Sequence, residues 1–469
     1  MKTRVAALVC ALALVATACG SRLSDDELAT GGGTGGGSAT ETASGSSNAG
    51  ITQGEGDDGP KVGTLPVPCG EAPDGEPGAV PDGVDGVSQD AIKIAVISDR
   101  AGQIKVPTAS IEESMQAFVD WCNGFGGING RKLELTKIDS KLFAHLEATK
   151  EACSAGVFAI VGSGSVSDNQ GAQAMVDCGL IEVAAYAATT AKADSDNVIQ
   201  PLPNPSGIFN TAPAVYMVKN HPDAVKKAAL IWGGIDTAAS QAKRIKEAYE
   251  ASGFTFVYEK ETEVIQESYA SEAKAMKDAG VEYVNFVNTT AEAVKLMRDM
   301  ATQGTDPEVM EFGQQYYDPQ MFTAGAAADG AYIQLNTVPF EDKDSSPALQ
   351  AYLEAYSAVG SNIEPTSLGV QSWSAGLLFA TAVKSVGDDL TRENVMKALK
   401  DIHEWDGGGL HGTSDPGNNR GAPCLIFTQI QDDAFVRVYP DEPATFDCNK
   451  DYALELSGDY GEGAKLKGN

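Results

Sequence analysis

Two consecutive series of alternating β and α patterns, a proline-dense break between them and further helical patterns after them predict a two-lobed α/β protein. Alternation of this kind is the signature of a parallel sheet covered by helices on both faces. With 469 residues, 42% hydrophobic and 7% aromatic, the chain has the length for two cores and the composition of a globular protein.

The first strand is Ala91-Ile-Lys-Ile-Ala-Val-Ile97, ending at Ser98-Asp99. Pro107 opens a helix in which Ile111, Met115, Phe118, Val119 and Cys122 recur at helical spacing, and Asn123-Gly124 ends it. Strands near 132–138, 157–161 and 180–184 then alternate with helices near 144–155 and 168–177. Pro201-Leu-Pro-Asn-Pro205 interrupts the series, since prolines at that density break helices and central strands alike. The second series has strands near 227–232, 253–259, 281–287 and 309–313, with helices near 208–220, 236–251, 267–279 and 290–302. Helical patterns at 346–357, 367–385 and 391–400 follow, and strand-like segments at 424–438 finish the fold. The expected division is 91–206 with 340–412 for the first lobe, 207–336 with 420–447 for the second, and 449–469 as a tail.

Lys2 and Arg4 precede an apolar stretch, Val5 to Ala16, followed by Ala16-Thr17-Ala18-Cys19-Gly20. This has the form of a bacterial lipoprotein signal over residues 1–18 that leaves Cys19 to carry the lipid; an ordinary secretory signal cleaved after Ala18 is the competing reading. The stretch is shorter than the roughly 20 residues a spanning helix needs. Residues 19–60 read as a flexible Gly/Ser/Thr tether, and GGGTGGGSAT within it lacks both the Gly-Lys-Ser/Thr ending and the preceding strand of a phosphate loop. Residues 61–90 form a Pro/Gly-rich extension. The expected location is therefore the outer face of the cell membrane, reached through lipid alone.

Without Cys10 and Cys19 the mature chain keeps Cys69, Cys122, Cys153, Cys178, Cys424 and Cys448. Six cysteines in an oxidising compartment read as three disulfides, with 15 possible connectivities. A metal site is disfavoured, because there is no CxxC pair and the histidines are His145, His221, His403 and His411 alone. No cofactor is expected either. The 65 acidic against 34 basic residues, a formal charge of -31, oppose binding to nucleic acid.

In open parallel sheets, ligands bind in the crevice beyond the carboxyl ends of the strands. Two such sheets facing one another make a jaw. The loops leaving the strands supply the candidates: Asp99, Arg100 and Gln103; Ser163, Gly164, Ser165 and Val166; Ala184, Ala185 and Tyr186; and, in the second lobe, Asp236, Asn288, Gln315 and Tyr316. Small residues between a strand and a helix offer backbone N–H groups to an anion, although such glycines also serve tight turns. The tyrosines offer stacking faces or pack the rim, and Asp99 and Arg100 either meet charged ligand groups or pair on the surface. Trp373 reads better as core. Catalytic signatures such as GxSxG and HExxH are missing, and a carboxylate pair of Asp236 with Asp318 is the remaining arrangement suited to hydrolysis. The chain is therefore expected not to be an enzyme.

Ile92-Lys-Ile-Ala-Val, Asn123-Gly-Phe-Gly-Gly-Ile-Asn-Gly-Arg-Lys-Leu133 and Val157-Phe-Ala-Ile-Val-Gly-Ser163 resemble the type I periplasmic binding proteins of the leucine/isoleucine/valine-binding branch, over roughly residues 90–440. The resemblance implies two Rossmann-like lobes joined by a multi-strand hinge, and a monomeric receptor that closes on a small molecule and delivers it to an ABC permease. A sensor module controlling a membrane signalling protein is the alternative. The positions matching the family's amino-acid ligands are Val166, Ala184 to Tyr186, and Gln315 where the family has an acid. Without that acid an ammonium group has no counter-charge, which argues against a branched-chain amino acid as ligand. The same layout implies disulfides Cys153 with Cys178, Cys424 with Cys448, and Cys69 with Cys122.

Overall fold

A computed structural model describes residues 50–53, 59–101 and 108–466. The proposed signal, Cys19, the glycine-rich tether, Gln103 and Pro107 lie outside the described residues.

The first sheet is wholly parallel, in the spatial order Lys132–Asp139, Ala91–Ser98, Ala159–Val161, Ile181–Val183, Val198–Ile199. Alternate residues of a strand point to opposite faces, and here both faces are apolar. Ile92, Ile94 and Val96 join Met115 and Phe118 of helix Ala109–Gly124 in one core. Ala95 and Ile97 join Ala148, Ala152 and Met175 from helices His145–Ser154 and Asn169–Asp177 in another. Winding reverses between Ala91–Ser98 and Ala159–Val161, and that reversal opens a crevice at their carboxyl ends.

The larger sheet runs Phe256–Thr262, Ala228–Gly233, Tyr283–Val287, Val309–Phe312, Tyr332–Leu335, Cys424–Gln431, Ala434–Tyr439. Its pairs are parallel up to Tyr332–Leu335 and antiparallel beyond. Here too the winding reverses, between Ala228–Gly233 and Tyr283–Val287. The chain passes between the sheets after Ile199, returns after Leu335, and crosses again before Cys424. Helices Pro347–Val359, Ser367–Val386 and Arg392–Lys400 belong to the first sheet's core, where Leu349, Tyr352 and Trp373 pack on Met115 and Phe118. Two of the crossings are stitched together, with the Val338 N–H donating to Leu410 O at 2.8 Å and a bridge between Thr337 and His411.

The edge strand Val198–Ile199 of the first sheet is not among the expected strands, and three further features differ from the sequence expectations. Residues 208–220 are strand Ile208–Asn210 followed by helix Ala212–Asn220, because the strand's partner, Ala453–Glu455, arrives from the far end of the chain. Strand Tyr332–Leu335 was not anticipated; at four residues it carries little pattern. Nor are residues 449–466 a free tail. After pairing with Ile208–Asn210 they continue to Tyr460, whose hydroxyl donates to Glu247, and then to Ala464, packed on Ala172 and Val176 of the first lobe.

The Pro/Gly-rich extension is tied down. Arg131 is buried and donates to Ser88 O, Gly78 O and Ala79 O, and Val62, Val67 and Cys69 join the first core. Disulfides link Cys69 with Cys122, Cys153 with Cys178, and Cys424 with Cys448.

Candidate functional site

The carboxyl-terminal loops of both sheets and the crossing segments enclose a cleft of about 390 Å³. That volume suits a small organic molecule. The first lobe contributes Thr108, Val166, Tyr186, Ala187 and Ala188, together with Leu368 and Gln371 from helix Ser367–Val386. Across from them stand Ile235, Thr237 and Gln241, the segment Asn285 to Thr290, Gly313 to Gln315, and Gln334 to Asn336. Leu202 to Pro205 and Gly421 to Leu425 close the hinge side.

Of the residues singled out in the sequence, Val166, Tyr186, Asn288 and Gln315 reach this wall. Gln103 lies outside the described residues, and the remaining candidates stand behind the wall or away from it, each for a structural reason. Asp99 does not face the cleft: its carboxylate accepts the Val166 N–H at 2.8 Å, the Leu142 N–H at 2.9 Å, and the hydroxyls of Ser140 and Ser165. Arg100 turns to Glu112 instead of a ligand. Ser163 accepts the Ile97 N–H through Oγ at 2.8 Å, and its carbonyl accepts the Ala185 N–H. Ser165 is spent on Asp99, and Ala184 donates to Ile199 O within the sheet framework. Gly164 lies against Tyr186, so close that a Cβ there would stand 2.3 Å from the ring.

In the second lobe Tyr316 is fully buried, and its hydroxyl accepts the Asn288 N–H at 2.8 Å, so it positions the wall from behind. Asp236 is exposed in the first turn of helix Asp236–Ser252, and Asp318 accepts the Gln320 N–H. Neither lines the cleft, so the carboxylate pair considered for hydrolysis is not assembled there. Trp373 and Tyr317 are core residues, with Tyr317 hydrogen-bonded to Glu341 and Phe340.

A second internal carboxylate mirrors Asp99. Asp168 accepts the Ala188 N–H at 2.6 Å, the Thr189 N–H at 3.2 Å and the Thr189 hydroxyl at 2.6 Å. Burial pushes its pKa up to about 6 against the pull of those hydrogen bonds. Burial, with the charges of Asp99 and Asp168 added, raises the Tyr186 phenol well above its ordinary value, which keeps it neutral. No cluster of His, Cys, Asp or Glu suited to a metal occurs among the described residues.

The residues missed in the sequence are those of the crossings, such as Leu202 to Pro205 and Asn336, and Gln371 on a helix. Their nearness to the strand ends follows from how the lobes pack, which leaves no local signal.

The sequence matches the family model described as periplasmic binding protein over residues 91–434. Comparison with curated protein sequences gives no match. Among solved structures, the leucine-binding protein LivK of Thermotoga maritima is 16% identical with a TM-score of 0.65, covering 77% of this chain and 99% of that one. The fatty acid ABC transporter substrate-binding protein of Thermomonospora curvata is 19% identical with a TM-score of 0.66, covering 82% of this chain and 97% of that one. A solute-binding protein of R. palustris, solved with 4-hydroxybenzoate, is 16% identical with a TM-score of 0.62, covering 74% and 96%. With most of its length matched by the family model and two facing α/β sheets around one cleft, the chain belongs to the periplasmic binding protein family and has the type I fold.

Proposed function

We propose that this protein is an extracytoplasmic solute-binding lipoprotein that captures a small polar molecule, an amino acid, amide or related compound, and delivers it to an ABC permease. The observation that carries the reading is the position of the cleft, walled by the carboxyl ends of the parallel strands of two sheets at their winding reversals and spanned by the crossing segments. Ligand contacts to both walls stabilise the closed arrangement over the open one, so binding shifts the equilibrium without covalent chemistry. Cys19 holds the protein at the membrane through lipid, and the receptor acts as a monomer without cofactor. Similar solved proteins of ABC transporters support the permease as partner.

A thermal-shift screen of the full chain against amino acids, amides, sugars, polyamines and aromatic acids tests this. A ligand present at a hundred times its Kd stabilises the folded state by about 2.7 kcal/mol. At least one class is expected to raise Tm while being recovered unchanged. No shift from any class, or conversion of the stabilising compound into a product, contradicts the proposal.

A further inference from the structure

We infer that the captured solute is uncharged at neutral pH, a molecule with hydrogen-bonding groups on an apolar body, and is neither a carboxylate, an ammonium compound nor a zwitterion. This rests on the solute-binding reading above and narrows the ligand class of that same site to amides and other neutral compounds, setting free amino acids aside.

The described wall of the cleft is polar but uncharged. Among the described residues lining the cleft there is no Asp, Glu, Lys, Arg or His, while five Asn and five Gln side chains take part. A charged ligand group leaving water for such a site finds no counter-charge among those residues, and desolvation then opposes binding. Carboxamides offer both a donor and an acceptor and exchange them by a half-turn of the group, so they match neutral partners of either kind.

An anion would seek the N–H groups of the small-residue loops, yet several of these are already occupied from inside the protein. Val166 N donates to Asp99, while Ala188 N and Thr189 N donate to Asp168. Ala187 N donates to Gln200 Oε1 at 2.9 Å. Two carboxylates therefore sit behind the first wall where a carboxylate ligand would need positive potential. Their oxygens are taken in turn by those donors, which leaves them poorly placed to receive an ammonium group.

Several polar atoms of the wall are unmet. Gln314 Oε1, Asn336 Oδ1, Gln371 Nε2 and Thr290 Oγ1 are buried without a hydrogen-bond partner, and all four belong to cleft residues. Buried polar atoms are ordinarily satisfied, so these four orphans leave the wall hydrogen-bonding capacity that a side-chain turn presents to a ligand or water. All four are neutral groups. Arg244, the nearby cation, is not part of the wall; it is buried behind it, donating to Asn204 Oδ1, Pro205 O and Ile208 O, with Nε left over. Leu202, Phe209, Ile235, Ile245 and Leu368 supply the apolar surface for the body of the molecule.

Calorimetric titration of the full chain with matched pairs tests the inference: benzamide against benzoate, 4-hydroxybenzamide against 4-hydroxybenzoate, and N-acetyl-leucinamide against leucine. At least one neutral member is expected to bind at least tenfold more tightly than its charged counterpart. Equal or tighter binding by the charged members overturns the inference and leaves solute capture standing. If no member of any pair binds, while the broader screen yields a ligand, the charge of that ligand at pH 7 decides: a neutral one upholds the inference and a charged one overturns it. Silence in both experiments overturns the capture reading, and the inference with it.

Discussion

Gly164 shapes the first wall by having no side chain, because the Tyr186 ring occupies the space where a Cβ would sit. Gly164→Ala is therefore expected to displace Tyr186, to weaken ligand binding by about tenfold and to cost about 1–3 kcal/mol of stability, as overpacking does. Chemical denaturation and titration on the same preparation check both. At the crossings, His411 is buried with Nε2 on the Ser374 hydroxyl and Nδ1 beside Gly412 O. Burial holds its pKa down at about 4 against an ordinary 6.5. The unfolded chain thus takes up a proton that the folded one refuses. This residue's contribution is complete above pH 6.5 and is lost as pH falls from 6.5 to 4, by about 3 kcal/mol in all. Buried Glu311, raised to about 8, works in the opposite direction, so the whole profile is composite. The difference between wild type and His411→Asn isolates the histidine: wild type should lose its advantage progressively between pH 6.5 and 4, and a constant difference contradicts the assignment. Asp99 shows the limit of reading residues from sequence. A charge at a strand end was visible there, but the amides and hydroxyls that consume it come from positions 140, 142, 165 and 166 and gather only on folding.

At the scale of elements, the long strands and helices were legible because their apolar periodicity is strong. Helix Ala109–Gly124 carries its core contacts at the predicted Ile111, Met115, Phe118, Val119 and Cys122. Segments that failed to announce themselves are short and defined by a distant partner, as with Ile208–Asn210 and Tyr332–Leu335. The cleft follows the same rule. Val166, Tyr186, Asn288 and Gln315 line it because they follow strands of the two alternating series, Asn336 follows the unexpected strand Tyr332–Leu335, and Gln371 reaches the site through tertiary placement. The extension before Ala91 is held to the first lobe by Arg131 and by Cys69–Cys122, which closes a sequence separation of 53. Replacing both cysteines by serine is expected to remove about 4 kcal/mol on the loop-entropy account, read as a lower urea midpoint. Limited proteolysis should then cut first between residues 70 and 90, and an unchanged midpoint contradicts the role given to this bond.

Across the whole molecule, the carboxyl-terminal segment joins what the crossings already join. Its Ala453–Glu455 strand and Tyr460 hold the second lobe, while Ala464 exchanges backbone hydrogen bonds with Ala191 and Asp196 of the first. Ending the chain at Tyr452 removes this strap, and the expected result is a lower Tm together with weaker ligand binding, because the lobes then lose a common tether. Truncation without effect on either would show that the crossings alone set their relation.

On the proposed reading, a ligand in the cleft is gripped from both sides at once. Hydrogen exchange of the full chain, measured with and without a ligand taken from the screen, tests this directly. Protection is expected to rise together in residues 185–190 of the first lobe, in 285–290 and 313–315 of the second, and in the crossings at 202–210 and 334–338. Protection confined to one lobe, or appearing away from these segments, contradicts it.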